Sequence, residues 1–274
     1  MDTSSFSTDI SCPEKSAQPR HLSVAETETK HGVKFPFSIA APSFVIPAGA
    51  ADNSRFLADY FPEIGLLFFE SESCLAYSDF DLPPTLATLP VSWHVHLPLD
   101  LEWHNGLDEA WRIITHLMDK AAYLSPRSWV LHPPTAPDML VPLAARFREA
   151  GVDPATILLE NVDETDLVAL WPEARQGGFS TCLDLGHILA YDQQPVLDLP
   201  GLWDTVRMLH VYAAKPGSGK HLGLTHLDDE GRALLRHVLE HFRGDTLTLE
   251  VFSEEIFPSL DLLAGWMNEW SKTK

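Results

Sequence analysis

From about Phe35 onward the chain alternates two apolar patterns. Short, β-prone apolar runs lie near 37–46, 64–70, 91–97, 128–132, 156–160, 179–184, 206–212 and 246–252. Runs of this kind predict buried strands. Between them lie longer segments with apolar residues every three or four positions and acids near the N-terminal end. "LDEAWRIITHLMDKAAYL" at 107–124 and "DEGRALLRHVLEHF" at 229–242 are the clearest, and both predict amphipathic helices. Eight β-then-α units in residues 35–274 match the size of a (β/α)8 TIM barrel, about 250 residues. No linker divides this stretch, so a single barrel domain is expected over 35–274. The alternative, a doubly wound open sheet, would usually carry a glycine-rich phosphate turn after its first strand, and "SFVIPAGAADN" contains no GxGxxG. Residues 1–34 are rich in Ser, Thr and charge without periodicity, which predicts a flexible tail.

The predicted strands share an odd feature: they end on ionisable groups. "ILLEN" at 157–161 stops on Glu160, "VLHPP" at 130–134 carries His132, and "TCLDLGH" at 181–187 carries Asp184 and His187. "RMLHVYA" at 207–213 carries His210, "TLTLEVF" at 246–252 carries Glu250, and "SWHVHLP" at 92–98 carries His94 and His96. His221 and His226 follow on the loop after strand 7. In a TIM barrel all C-terminal strand ends meet at one mouth, where active sites are built. So many imidazoles and carboxylates would be costly to bury unless paired or metal-bound. Imidazole nitrogen and carboxylate oxygen are the common ligands of zinc and related divalent ions. A polynuclear metal centre is therefore expected, with Glu160, Asp184 and Glu250 as the candidate catalytic carboxylates.

Any one such histidine, taken alone, reads better as a hydrogen-bonded core residue than as a ligand; the set carries the argument. His94 sits a step below His96 on one strand face and is expected to support the ligands rather than be one. His104, His116, His237 and His241 lie in helical or loop contexts and are expected to be solvated. Asn161 is expected either to orient Glu160 or to cap the next helix. Trp93, Trp129 and Trp203 read as packing residues, whereas Trp103, just past strand 3, is a candidate substrate contact. Lys215 and Lys220, in "AAKPGSGKHLG", are candidate phosphate contacts on a glycine-rich loop.

Composition narrows the choice of partners. With 19 basic against 39 acidic residues, the net charge is -20, which repels polyanions and disfavours nucleic acid; a small-molecule substrate is favoured. No apolar run is long enough to span a bilayer, and the N-terminus has no signal-peptide pattern, so a cytoplasmic protein without a membrane partner is expected. The three cysteines, Cys12, Cys74 and Cys182, are far apart and odd in number, and are expected to stay reduced. Oligomeric state is not encoded in these patterns.

Taken together, "HLP", "LHP", "LEN", "CLDLGH", "LHVYAAK", "KHLGLTH" and "LEVF" resemble the xylose isomerase-like barrel superfamily, in its apurinic endonuclease IV branch. "FPFSIAAPSFVIPA", "LLFFESES" and "VHLPLDLEW" are similar to the cobamide-remodelling phosphodiesterases within it. The resemblance implies hydrolysis of the phosphoester in the nucleotide loop of cobalamin-type cofactors, giving phosphorylated cobinamide and the lower-ligand riboside. It implies His96 and His132 on one metal, Glu160 bridging to a second, and Asp184, His210 and Glu250 completing the second. The ion expected is Zn²⁺, with Mn²⁺ or Fe²⁺ as alternatives. His187 and His221 match two ligands of a third metal, but Gly219 stands where that branch has an aspartate, so two ions are expected and the third site lacks a ligand. His226 or Asp228 would have to replace it.

Three other activities remain open. An apurinic endonuclease would use the same centre but needs basic surfaces around it. A sugar isomerase or epimerase needs one ion on Glu160, Asp184, His210 and Glu250, leaving His96 and His132 unused. A corrinoid- or metal-binding protein without turnover is the third.

Overall fold

A computed structural model describes residues 34–272. The tail expected over 1–34 therefore lies, apart from Lys34, outside the described residues. Eight strands follow in order: β1 (Ser38–Pro42), β2 (Glu63–Leu67), β3 (Ser92–His96), β4 (Trp129–Leu131), β5 (Ile157–Glu160), β6 (Ser180–Asp184), β7 (Val206–Val211) and β8 (Thr246–Leu249). Each pairs in parallel with the next, and β8 pairs with β1, closing the expected barrel. The connecting helices are α1 (Ala50–Leu57), α2 (Ser71–Leu75), α3 (Leu107–Ala121), α4 (Leu140–Glu149), α5 (Trp171–Gly177), α6 (Leu185–Tyr191), α7 (Asp229–His241) and α8 (Ser253–Ser271). Among the described residues no helix is long and apolar enough to cross a membrane.

The helices form where the apolar spacing predicts. α3 turns Ala110, Ile113, Ile114, Leu117, Met118 and Ala121 onto the barrel. Each large aliphatic side chain buried this way contributes about 1.5–3 kcal/mol. α7 starts where the Asp228 carboxylate accepts the Gly231 N–H at 2.8 Å, satisfying one of the free donors of its first turn.

The odd strand endings follow from a period of two. On β4 to β7, Val130, Leu158, Cys182 and Met208 pack together as one apolar layer. Two residues further along the same chain stretches stand His132, Glu160, Asp184 and His210. Alternate residues share a face, so the interior face passes in one step from packed layer to mouth. The same step leads from His94 to His96 and from Thr248 to Glu250. Register reinforces this, since Asp184 is the direct neighbour of His210.

Lower in the barrel the structure departs from expectation. His94 supports no metal-site residue: its Nδ1 meets Glu63 Oε1 at 2.9 Å, and both side chains are buried. Thr246 Oγ1 donates to the same carboxylate. Gly65 makes room for this pair, because a Cβ there would lie 2.4 Å from His94 Nε2. Three strands, β1, β2 and β8, also stop three or more residues before their apolar runs do. β1 ends at Pro42, after which the Ser43 hydroxyl, not a main-chain carbonyl, accepts the Leu67 N–H. The leftover apolar residues of β1, β2 and β8 therefore stand at the mouth.

Candidate metal centre

Glu160 lies at the middle of the cluster, 2% exposed. Its two carboxylate oxygens face different groups. Oε2 lies 3.0 Å from His96 Nε2 and 3.2 Å from His132 Nε2. Oε1 lies 2.7 Å from His210 Nδ1, which is itself 3.4 Å from Glu250 Oε1 and 3.8 Å from Asp184 Oδ2. Potential ligand atoms of Glu160, Asp184, His210 and Glu250 all lie within 4.8 Å of one another, and the same holds for His96, Glu160 and His210.

Several details fit these groups to cations. The His96 Nδ1–H is spent on the Leu97 carbonyl at 2.7 Å. Its Nε2 thus turns a lone pair towards a carboxylate oxygen, an approach that is favourable only with a proton or a cation between them. Asp184 divides its labour as well: Oδ1 accepts the His187 N–H at 2.7 Å and caps α6, while Oδ2 is buried without a hydrogen-bond partner. Buried carboxylate oxygens are rarely left so unless a ligand completes them. Asn161 holds this aspartate rather than Glu160, exchanging two hydrogen bonds with the Asp184 backbone at 2.8 and 3.0 Å. Gln193 locks Asn161 in turn at 2.9 Å, a support with no signal in the sequence.

The electrostatics have the same direction. Burial alone would raise the Glu160 pKa, but the charge of His210 and the close approach of the His132, His210 and His96 rings hold it well below the carboxylate range. Burial, with the charges of Glu160 and Glu250, pushes Asp184 well above its ordinary value. His210 is raised despite burial, by Cys182, Glu250 and Glu160. Burial pushes the Cys182 thiol up to about 12, so it stays a neutral part of the layer beneath. In this cluster a bound cation would offset the excess negative charge.

His187 and His221 stand beside the main cluster. The His221 Nδ1–H donates to the Glu250 carbonyl at 2.9 Å, leaving Nε2 as its acceptor. Its ring lies flat on Tyr212, 3.7 Å between centroids at 7°. Tyr212 in turn needs Gly186, where a Cβ would fall 2.1 Å from its ring. The glycine of "CLDLGH" is thereby explained. Neither proposed replacement for the missing aspartate lines the cavity with His187 and His221: His226 Nε2 pairs with Glu255 at 3.0 Å, and Asp228 Oδ1 caps α7. A Cβ at Gly219 would instead approach the Tyr191 hydroxyl at 3.1 Å.

Three expected substrate contacts are placed elsewhere. Trp103 is buried, and its indole N–H donates to the His132 carbonyl at 3.3 Å, so it braces the end of β4 rather than facing the cavity. Lys215 and Lys220 are exposed on the loop after β7 and do not line the cavity. That cavity, about 240 Å³, is bounded by His96, His132, Glu160, His187, His221 and Glu250 on one side. Phe44, Leu67, Phe69, Leu99 and Phe252 bound the other. None of these apolar residues stands out in the sequence as a site residue; Phe44, Phe69 and Phe252 lie in apolar runs longer than their strands.

No protein-family model and no curated relative matches the sequence. Solved structures do match. A D-tagatose 3-epimerase-like protein superposes with a TM-score of 0.65 at 15% identity, covering 86% of this chain and 99% of its own. A xylose isomerase domain containing protein from Salmonella typhimurium gives 0.61 at 11% identity, covering 83% and 97%. SacUVDE gives 0.55 at 14% identity, covering 86% and 99%. At these identities the likeness establishes architecture alone: the chain is a closed eight-stranded TIM barrel, as theirs are.

Proposed function

We propose that this chain is a metal-dependent hydrolase that cleaves the phosphoester of the cobamide nucleotide loop. The observation that carries the reading is the division of the Glu160 carboxylate, one oxygen towards His96 and His132 and the other towards the His210, Asp184 and Glu250 group. An enzyme that needs a single ion has no use for the first pair. When bound, two divalent cations supply a polarised water and neutralise charge on a phosphodiester and its leaving oxygen. The chain's own residues set the conditions: Glu160 spans the two positions, Asn161 fixes Asp184, and the Leu97 carbonyl fixes the His96 tautomer. His187 and His221, with no third protein ligand at Gly219, are left to contact phosphate. Finer specificity rests on the sequence resemblance, and the charge of -20 favours a compact substrate over DNA.

A second reading has an observation of its own. Glu160, Asp184, His210 and Glu250 alone form a compact one-ion set, and one structural neighbour is named as a D-tagatose 3-epimerase-like protein. One experiment separates the readings. Protein loaded with Zn²⁺ or Mn²⁺ is incubated with adenosylcobalamin, a duplex containing an abasic site, and a panel of ketoses. Release of the lower-ligand riboside alone supports the proposal, epimerised sugar supports the second reading, and a nicked duplex would point to repair chemistry.

A further inference from the structure

The mouth of the barrel is two-sided. Metal-ligating types stand at the ends of β3 to β8, whereas the ends of β1 and β2 carry none. That bare quarter is apolar and open. Phe44 follows β1, Phe69 follows β2, Leu99 follows β3 and Phe252 follows β8. Phe69, Leu99 and Phe252 are 46%, 43% and 53% exposed. Among the described residues six large apolar side chains are exposed, and three of them line this one cavity. The Phe44 ring lies 5.5 Å from both the Phe69 and the Phe252 rings, tilted at 57° and 55°, so the three form one aromatic wall. Chance exposure scatters such residues; concentration beside a binding centre marks a ligand surface.

The occupant must be apolar where it meets this wall and rich in donor oxygens where it meets the His and carboxylate cluster. A free sugar satisfies only the second condition. At about 240 Å³ the cavity lies below the roughly 300–1,000 Å³ of sites that enclose drug-sized ligands, which suits a planar bicyclic ring better than a corrin macrocycle. We propose that Phe44, Phe69, Leu99 and Phe252 seat the heteroaromatic base of the departing riboside. This rests on the cobamide reading above and adds which end of the substrate the mouth reads. Stacking against tilted rings requires only a π-face, so the wall discriminates for a flat uncharged base and tolerates changes in its substituents.

The test uses metal-loaded full-length protein and two probes that share a sugar: benzimidazole riboside and free ribose, titrated by calorimetry. The riboside is expected to bind at least tenfold more tightly. Phe44→Ser and Phe252→Ser should each weaken riboside binding about tenfold, the order expected for losing one aromatic contact. Metal content, melting temperature and ribose binding should not change, and Phe252→Tyr, which keeps a ring, should retain affinity. Riboside binding no tighter than ribose, or unaltered in both serine variants, would overturn the proposal. So would a Phe252→Ser variant that changes the oligomeric state instead of riboside affinity, since the wall would then be covered by a second copy. Cobamide turnover distinguishes the two readings. Cleavage with KM unchanged in the serine variants sinks the base seat alone, whereas wall-dependent riboside binding without cleavage sinks the hydrolase alone.

Discussion

Glu160 carries most of the chemistry expected of this chain, because one carboxylate reaches two groups of ligands. Glu160→Gln keeps the volume and removes the charge that would hold two cations. Metal content measured by mass spectrometry is expected to fall below one ion per chain, with turnover down by several orders of magnitude; retention of both would contradict the bridging role. The ion count is set at neighbouring residues. With Gly219 lacking a ligand and neither His226 nor Asp228 lining the cavity, protein dialysed against a mild chelator should retain two ions, and His221→Ala should still retain two. A count of three, lowered to two by His221→Ala, would mean that the loop after β7 rebuilds the third position.

At the scale of strands, the charged endings and the buried Glu63–His94 pair are products of the same two-residue period, one at the mouth and one inside. Burial would raise the Glu63 pKa, but hydrogen bonding and charge from His94, with Ser38 and Thr246, bring it below the ordinary glutamate value. A carboxyl depressed in the folded state stabilises the fold above its unfolded pKa, and that contribution is lost as pH falls through the folded value. Glu63→Gln should therefore cost about 3 kcal/mol near pH 7, the usual scale for breaking a buried pair. In urea titrations the gap between variant and parent should close as pH drops below the ordinary glutamate range. A gap independent of pH would show that packing, not charge, makes the difference.

Element order and the ring of strand-end ligand types were legible in the sequence because both depend on local periodicity. β4 was anticipated at 128–132 and runs Trp129–Leu131, and α7 begins at its anticipated residue, Asp229. What escaped was whatever depends on distance across the fold. Glu63 reads as one more residue at the head of a strand, and only closure of the barrel brings it to His94 and Thr246. Gln193 has no motif, yet it locks the asparagine that holds Asp184. Trp103 looked like a platform because it follows a mouth strand, but its indole had a carbonyl to satisfy inside. Phe44, Phe69 and Phe252 were absorbed into predicted strands; a side-chain hydroxyl at Ser43, which ends the ladder early, is invisible to hydrophobic patterning.

On the scale of the whole molecule, an acidic barrel presents one mouth, with a cluster of candidate ligand atoms facing an apolar wall. The charge pattern, the divided carboxylate and the small cavity are the features on which the proposed phosphodiester substrate with an apolar end rests. The most direct test of that account is to treat adenosylcobalamin with the metal-loaded protein in water enriched in oxygen-18 and weigh both products. If water adds its oxygen to phosphorus while the ribose oxygen leaves with a proton, the cobinamide product keeps the phosphate and gains one heavy oxygen, and the riboside leaves unlabelled and without phosphate. A phosphate on the riboside, or heavy oxygen in its sugar, would contradict the account.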